Sequence, residues 1–271
     1  KDAGLDPSQK LTWAWTTDQF LDAARRLTKT EGQRVTRGGF ASRTGALLGL
    51  SVGNLLSWLY SHGGDFYNQD YTKTLVNDQK GRQALQFMID LRSRHKFAPE
   101  VDGATFEGET VSMAFAGSWE AGYLLDRNPR LQFGFAPLPK GPLGTRPSSQ
   151  TWTNQWSMTK DGKRKDVAWE WLAFVNSAPV QEQYFATVMK RFSGRKSVYA
   201  SQAWKTVVKD WPALEGIEKM EPMSKQYPWV KTTPINEQTA EIWRKAQAQE
   251  IGVNEALAQV EQTVNRVLSG G

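Results

Sequence analysis

Apolar residues recur at helical spacing along most of the chain, and this periodicity limits the fold more than any other feature. In the closing stretch VNEALAQVEQTVNRVL, Val253, Leu257, Val260, Val264 and Val267 share one face. GRQALQFMIDLRSRH places Ala84, Phe87, Met88 and Leu91 in the same way. TTDQ at 16–19 reads as a capping box, Thr16 with Gln19 three on, and Phe20, Ala24 and Leu27 follow at helical spacing. GALLGLSVGNLLSWLYS, DVAWEWLAFVN, PVQEQYFATVM with Pro179 in its first turn, and SVYASQAWKTVVKDW with Ser197 as cap give further helices. Strand signals are fewer. TVSMAFAG alternates Val111, Met113 and Phe115, LQFGFAPLP alternates Leu131, Phe133 and Phe135, and QTWTNQWSMT reads as a third. Helices with a few strands place the chain in the α/β or α+β class, and KGPLGTRPSS is its best internal boundary.

The chemistry that this sequence excludes is as informative. With no cysteine, a disulfide scaffold, a cysteine metal site and a cysteine nucleophile all drop out. G-x-x-x-x-G-K-[ST] does not occur, so a Walker-type phosphate loop is absent. The two histidines, His62 and His95, make no H-E-x-x-H pair. His62 reads as a polar turn residue, and His95 as a cation suited to a helix C-terminus. No metal and no cofactor are expected. Glu107, Glu109, Glu120 and Asp65 are the acids to weigh for a glycosidase, which needs two facing carboxylates. No apolar run reaches the roughly 18 residues of a membrane helix, so direct membrane insertion is not expected. The net charge of +6 is spread out, densest in KDGKRKD at 160–166, and reads as ordinary surface charge.

The positive signal is aromatic: twelve tryptophans in 271 residues. Trp204 reads as core, and of Trp169 and Trp171, on opposite sides of one helix, at least one is expected to pack inward. Trp119, Trp152, Trp156 and Trp229 stand at element ends, where a core role explains less. An indole face is flat and apolar and suits the C–H face of a sugar ring, with amides and acids taking the hydroxyls. The same face suits an unstacked base, so a basic single-stranded nucleic-acid binder is a rival reading.

TTDQF, GGDFYN, ALQFMIDL, AFAGSWE, GFAPLPKGP and DVAWEWLAFVNS occur in this order and together resemble the extracytoplasmic solute-binding proteins of sugar ABC importers, of the maltose-binding-protein-like type. The resemblance implies an α/β, two-lobe, periplasmic-binding-protein type II-like fold with ligand between the lobes. It implies residues 1–136 as the first part of the C-terminal lobe, 137–196 as hinge crossings with a strand-helix piece of the N-terminal lobe, and 197–271 as the last C-lobe helices. It further implies a chain N-terminally truncated, opening at Lys1 without a signal peptide, with the export signal on the missing segment. A truncated chain of this kind is expected to expose apolar surface along 148–190. Carried over by motif, Trp119 stacks on the sugar. Glu120, Asn54, Trp152, Asn154, Gln155, Arg195 and Trp243 are the other ligand-binding candidates, Trp243 with core packing and Arg195 with a hinge salt bridge as the structural alternative. The implied function is non-catalytic capture of a sugar or oligosaccharide. The implied setting is a periplasmic or extracytoplasmic monomer whose partners are the sugar and importer permease subunits, with no nucleic acid. A carbohydrate-active enzyme and the nucleic-acid binder are the alternatives.

Overall fold

The computed structural model describes residues 3–5, 15–42, 49–97, 105–152, 154–190, 193–212, 214–215 and 220–270. The capping box forms as its letters require. Thr16 Oγ1 accepts from the Gln19 N–H, Gln19 Oε1 accepts from the Thr16 N–H at 2.8 Å, and α1 (Thr17–Leu27) follows. A hairpin of β1 (Lys29–Glu31) and β2 (Arg34–Arg37) comes next, then β3 (Ala41–Ser42). Ser51 caps α2 (Val52–Ser61), and Asp78 caps α3 (Gln79–Ser93) by accepting from the Gly81 N–H at 2.7 Å. β4 (Ala114–Phe115) pairs in parallel with β3. After α4 (Glu120–Arg127), β5 (Ser149–Thr151) leads to α5 (Lys165–Val175) and α6 (Ala178–Gln181), which runs on into a π-helical stretch, Glu182–Val188. The chain closes with α7 (Ser197–Ala200), α8 (Gln202–Asp210), β6 (Ser224–Gln226, parallel to β5), α9 (Thr232–Gln247) and α10 (Val253–Ser269).

Two compact units result. The first comprises Lys1–Phe115, Pro137–Thr151 and Pro222–Gly271, and the second Ala116–Ala136 and Trp152–Glu221. In the first unit α2 is buried on nearly every side, with Leu55, Leu56, Trp58 and Leu59 at its centre, and α3, α9 and α10 turn their apolar stripes onto the same core. Phe20 of α1 meets Phe40 edge to face at 4.9 Å. Gly39 passes α1 so closely that a Cβ there would overlap the Ala24 carbonyl. The second unit has a smaller core of Ala121, Ala186, Val198, Trp204, Val207 and Leu214. A buried polar chain ties its helices: Ser193 Oγ donates to Gln181 Oε1, and Gln181 Nε2 donates to the Val175 carbonyl, each at 2.7 Å.

The structure departs from the sequence reading at several points. Residues 131–137 form no strand: Leu131 is buried and Phe135 packs on the second unit's core, so the alternation serves side-chain anchoring. Past Trp152, none of 154–159 is in a strand. Ser201, not Ser197, caps the longer helix α8, accepting from the Trp204 N–H at 3.1 Å. Neither Trp169 nor Trp171 packs inward, and both are more than half exposed. His62 is no surface turn residue. It is 1% exposed, and its Nδ1 donates to the Trp58 carbonyl at 2.7 Å, while burial pushes its imidazole pKa below 6.5. His95 stacks on Phe97 at 5.3 Å and is shifted down by burial as well, so it is a poor helix-end cation. Residues 45–48 of the GALLGLS stretch lie outside the described residues.

Candidate functional site

Immediately after β4 the chain turns through Gly117 and Ser118. The Glu120 N–H donates to the Gly117 carbonyl and the Ala121 N–H to the Ser118 carbonyl, which starts α4. Trp119 is thereby held at the helix N-cap position with its side chain free of capping duty. Its indole lies 5.5 Å, centroid to centroid, from that of Trp152, the two planes at 77°. Trp119 is 44% and Trp152 47% exposed, so about half of each side chain is open to solvent. Glu120 Oε1 accepts from Trp119 Nε1 at 3.1 Å. Two crossed aromatic faces with a carboxylate at one rim therefore stand together on the second unit. Such a set offers C–H stacking surface beside a hydroxyl acceptor.

The other sequence candidates fall elsewhere. Asn154 and Gln155 are exposed and follow Trp152 within the same unit; Thr153, between Trp152 and Asn154, lies outside the described residues. Arg195 is exposed, and its Nε donates to the Asn176 carbonyl at 3.0 Å, the residue that closes α5. This contact is a helix-end hydrogen bond and not the hinge salt bridge weighed from the sequence. In the first unit, Asn54 Nδ2 donates to the Gly49 carbonyl at 2.7 Å and its N–H to Ser51 Oγ, so it stiffens the start of α2. Trp243 is corrected: it is 3% exposed in the first unit's core, its Nε1 donating to Thr239 Oγ1 at 3.0 Å, and it has no face to give a ligand. The exposed aromatic in that part of the sequence is Trp229, 4.7 Å from Tyr227. Its position at an element end, beside a proline, was the available signal.

Asp65, one of the acids weighed for catalysis, is ion-paired with Lys225 Nζ at 2.8 Å, and that ammonium lies over the Tyr60 ring. Among the described residues no three His, Asp or Glu side chains gather as a metal site, and no helix is long and apolar enough to cross a membrane.

The family model for bacterial extracellular solute-binding proteins matches residues 1–182. The chain belongs to this family. Solved structures agree in fold. The maltose/maltodextrin-binding domain of Bdellovibrio bacteriovorus, bound to maltotriose, matches with a TM-score of 0.79 at 18% identity, over 94% of this chain and 67% of its own. The ABC substrate-binding protein of Listeria monocytogenes in complex with cycloalternan gives 0.79 at 17%, over 98% and 66%. The cyclic alpha-maltosyl-1,6-maltose binding protein of Arthrobacter globiformis gives 0.72 at 24%, over 100% and 68%. The mixed α/β fold is therefore that of periplasmic sugar-binding proteins, and the chain spans about two thirds of their length.

Proposed function

We propose that this chain captures a sugar or oligosaccharide without chemical turnover, for delivery to the permease subunits of an ABC importer. The observation that carries the reading is the Trp119–Trp152 pair, two half-open indoles at 77° with the Glu120 carboxylate at the rim, on a member of the solute-binding family. The rings take the apolar faces of the sugar, and Glu120 with the exposed amides of Asn154 and Gln155 takes hydroxyls, each such bond contributing on the order of 1 kcal/mol. That relatives of this fold were solved with maltotriose and cycloalternan supports an oligosaccharide ligand. The lobe assignment 1–136, 137–196 and 197–271, an extracytoplasmic location and a monomeric state belong to the same reading.

Isothermal titration with a panel of linear and cyclic gluco-oligosaccharides and monosaccharides tests it. One saturable 1:1 binding event and no sugar cleaved in the recovered sample is the expected result. Hydrolysis of the bound sugar would make the protein a carbohydrate-active enzyme. Absence of binding to every sugar by the folded chain would end the capture reading.

A further inference from the structure

Gly117 lies beneath the Trp119 side chain. A methyl group at position 117 would overlap Cη2, Cζ3 and Cζ2 of the indole, the far edge of its six-membered ring. Gly117 has no positive φ that would by itself demand glycine. What its missing side chain provides is space for that ring edge. The opposite end of the indole, Nε1, donates to Glu120 Oε1 at 3.1 Å. The ring is therefore located at both ends by its own near neighbours in sequence, and in that orientation it meets Trp152 at 77°.

We infer that Gly117 and Glu120 are positioning residues that pre-set the Trp119 indole against Trp152. The consequence for affinity rests on the sugar-capture reading; the orientation of the ring does not. An indole ends a side chain with only two rotatable torsions, so a methyl at 117 moves the ring and leaves the backbone in place. A ring fixed before the ligand arrives loses less conformational entropy on binding than one that must be ordered then.

The test labels the full chain with 5-fluorotryptophan and reads it by fluorine NMR. The Trp119 resonance is identified by its loss in Trp119→Phe. Trp152→Leu then shifts that resonance, because the neighbouring ring current is removed. In a Gly117→Ala background this Trp152-dependent shift is expected to fall by half or more, and sugar affinity by about 3- to 10-fold, the scale of one aromatic contact. Glu120→Ala is expected to reduce the shift as well, whereas Glu120→Gln, whose amide oxygen still accepts from Nε1, retains it. A full Trp152-dependent shift in Gly117→Ala and in Glu120→Ala overturns the inference. If Gly117→Ala does not fold, the contrast between Glu120→Ala and Glu120→Gln decides: equal shifts in the two overturn it. If the shifts change as expected but the parent chain binds no sugar, the positioning stands and the capture reading fails.

Discussion

Trp119 and Trp243 carry the same side chain in opposite surroundings, and substitution separates their work. Trp119→Ala removes a half-exposed ring and its contact with Trp152, so urea denaturation is expected to show a loss of about 0.5–1.5 kcal/mol. Sugar affinity is expected to fall at least ~10-fold in the same variant. Trp243→Ala opens a core cavity and removes the bond that Thr239 Oγ1 accepts, while the Thr239 hydroxyl keeps its own bond to the Ile235 carbonyl, with an expected cost of about 3–5 kcal/mol. Comparable destabilisation by both variants would contradict these placements. His62 gives a pH prediction. Burial keeps its imidazole neutral in the folded state, with a pKa below the 6.5 of an unburied imidazole, against which the Trp58 hydrogen bond works only in part. As the pH falls below about 6.5, the unfolded chain binds a proton that the folded chain does not, so stability decreases. His95, also shifted down, adds with the same sign. The urea midpoint is expected to drop between about pH 7.5 and 5.5. His62→Gln is expected to narrow that drop, and an unchanged drop in the variant would remove His62 as its source.

Elements with local causes are legible from their own letters. Four residues, TTDQ, define the start of α1, and both reciprocal bonds form. Thr16→Ala is expected to cost about 1 kcal/mol in urea denaturation. The apolar stripe of α10 is read from its spacing and found buried, with Leu257, Val260 and Val264 at 0% exposure. Where the cause is a distant segment, the sequence is silent. Alternation in LQFGFAPLP states that Leu131, Phe133 and Phe135 share a side but cannot name a sheet partner, and no strand forms. His62 sits in an HGG turn that reads as surface. It is buried because the backbone at Gly141 closes on its ring, where a Cβ would overlap Cδ2. The same limit governs the site. GSWE marks Trp119 as displayed, yet nothing in the spacing announces Trp152 as its neighbour, and helical pitch alone could not say whether Trp243 faces the core or a ligand. On α5 the periodicity gives a helix and leaves its cover open. Val167, Trp169, Trp171 and Phe174 are all exposed, matching the expectation of apolar surface along 148–190. The chain is therefore expected to bind the dye 8-anilinonaphthalene-1-sulfonate while folded. Replacing Trp169, Trp171 and Phe174 with Gln is expected to reduce that emission severalfold, with little loss in urea midpoint. Undiminished emission would place the dye elsewhere.

At the scale of the whole molecule, the charge of +6 and the open tryptophans bear on two different ligands. Exposed charges more than about 8–10 Å from a ligand are largely screened at physiological salt. A neutral sugar held by stacking and hydrogen bonds is thus nearly indifferent to ionic strength. A single-stranded nucleic acid neutralised by lysine and arginine loses affinity steeply, by about 10³-fold or more from 50 to 200 mM salt when many phosphates are engaged. The measurement that tests the central claim most directly is the intrinsic tryptophan fluorescence of the full chain, titrated with gluco-oligosaccharides at about 50 and 200 mM salt, beside Trp119→Ala and Trp152→Ala. The predicted result is a saturable change with the same midpoint at both salt concentrations, weakened in each variant. A folded chain whose fluorescence is unmoved by every sugar, or whose response persists undiminished without Trp119 and Trp152, would contradict it.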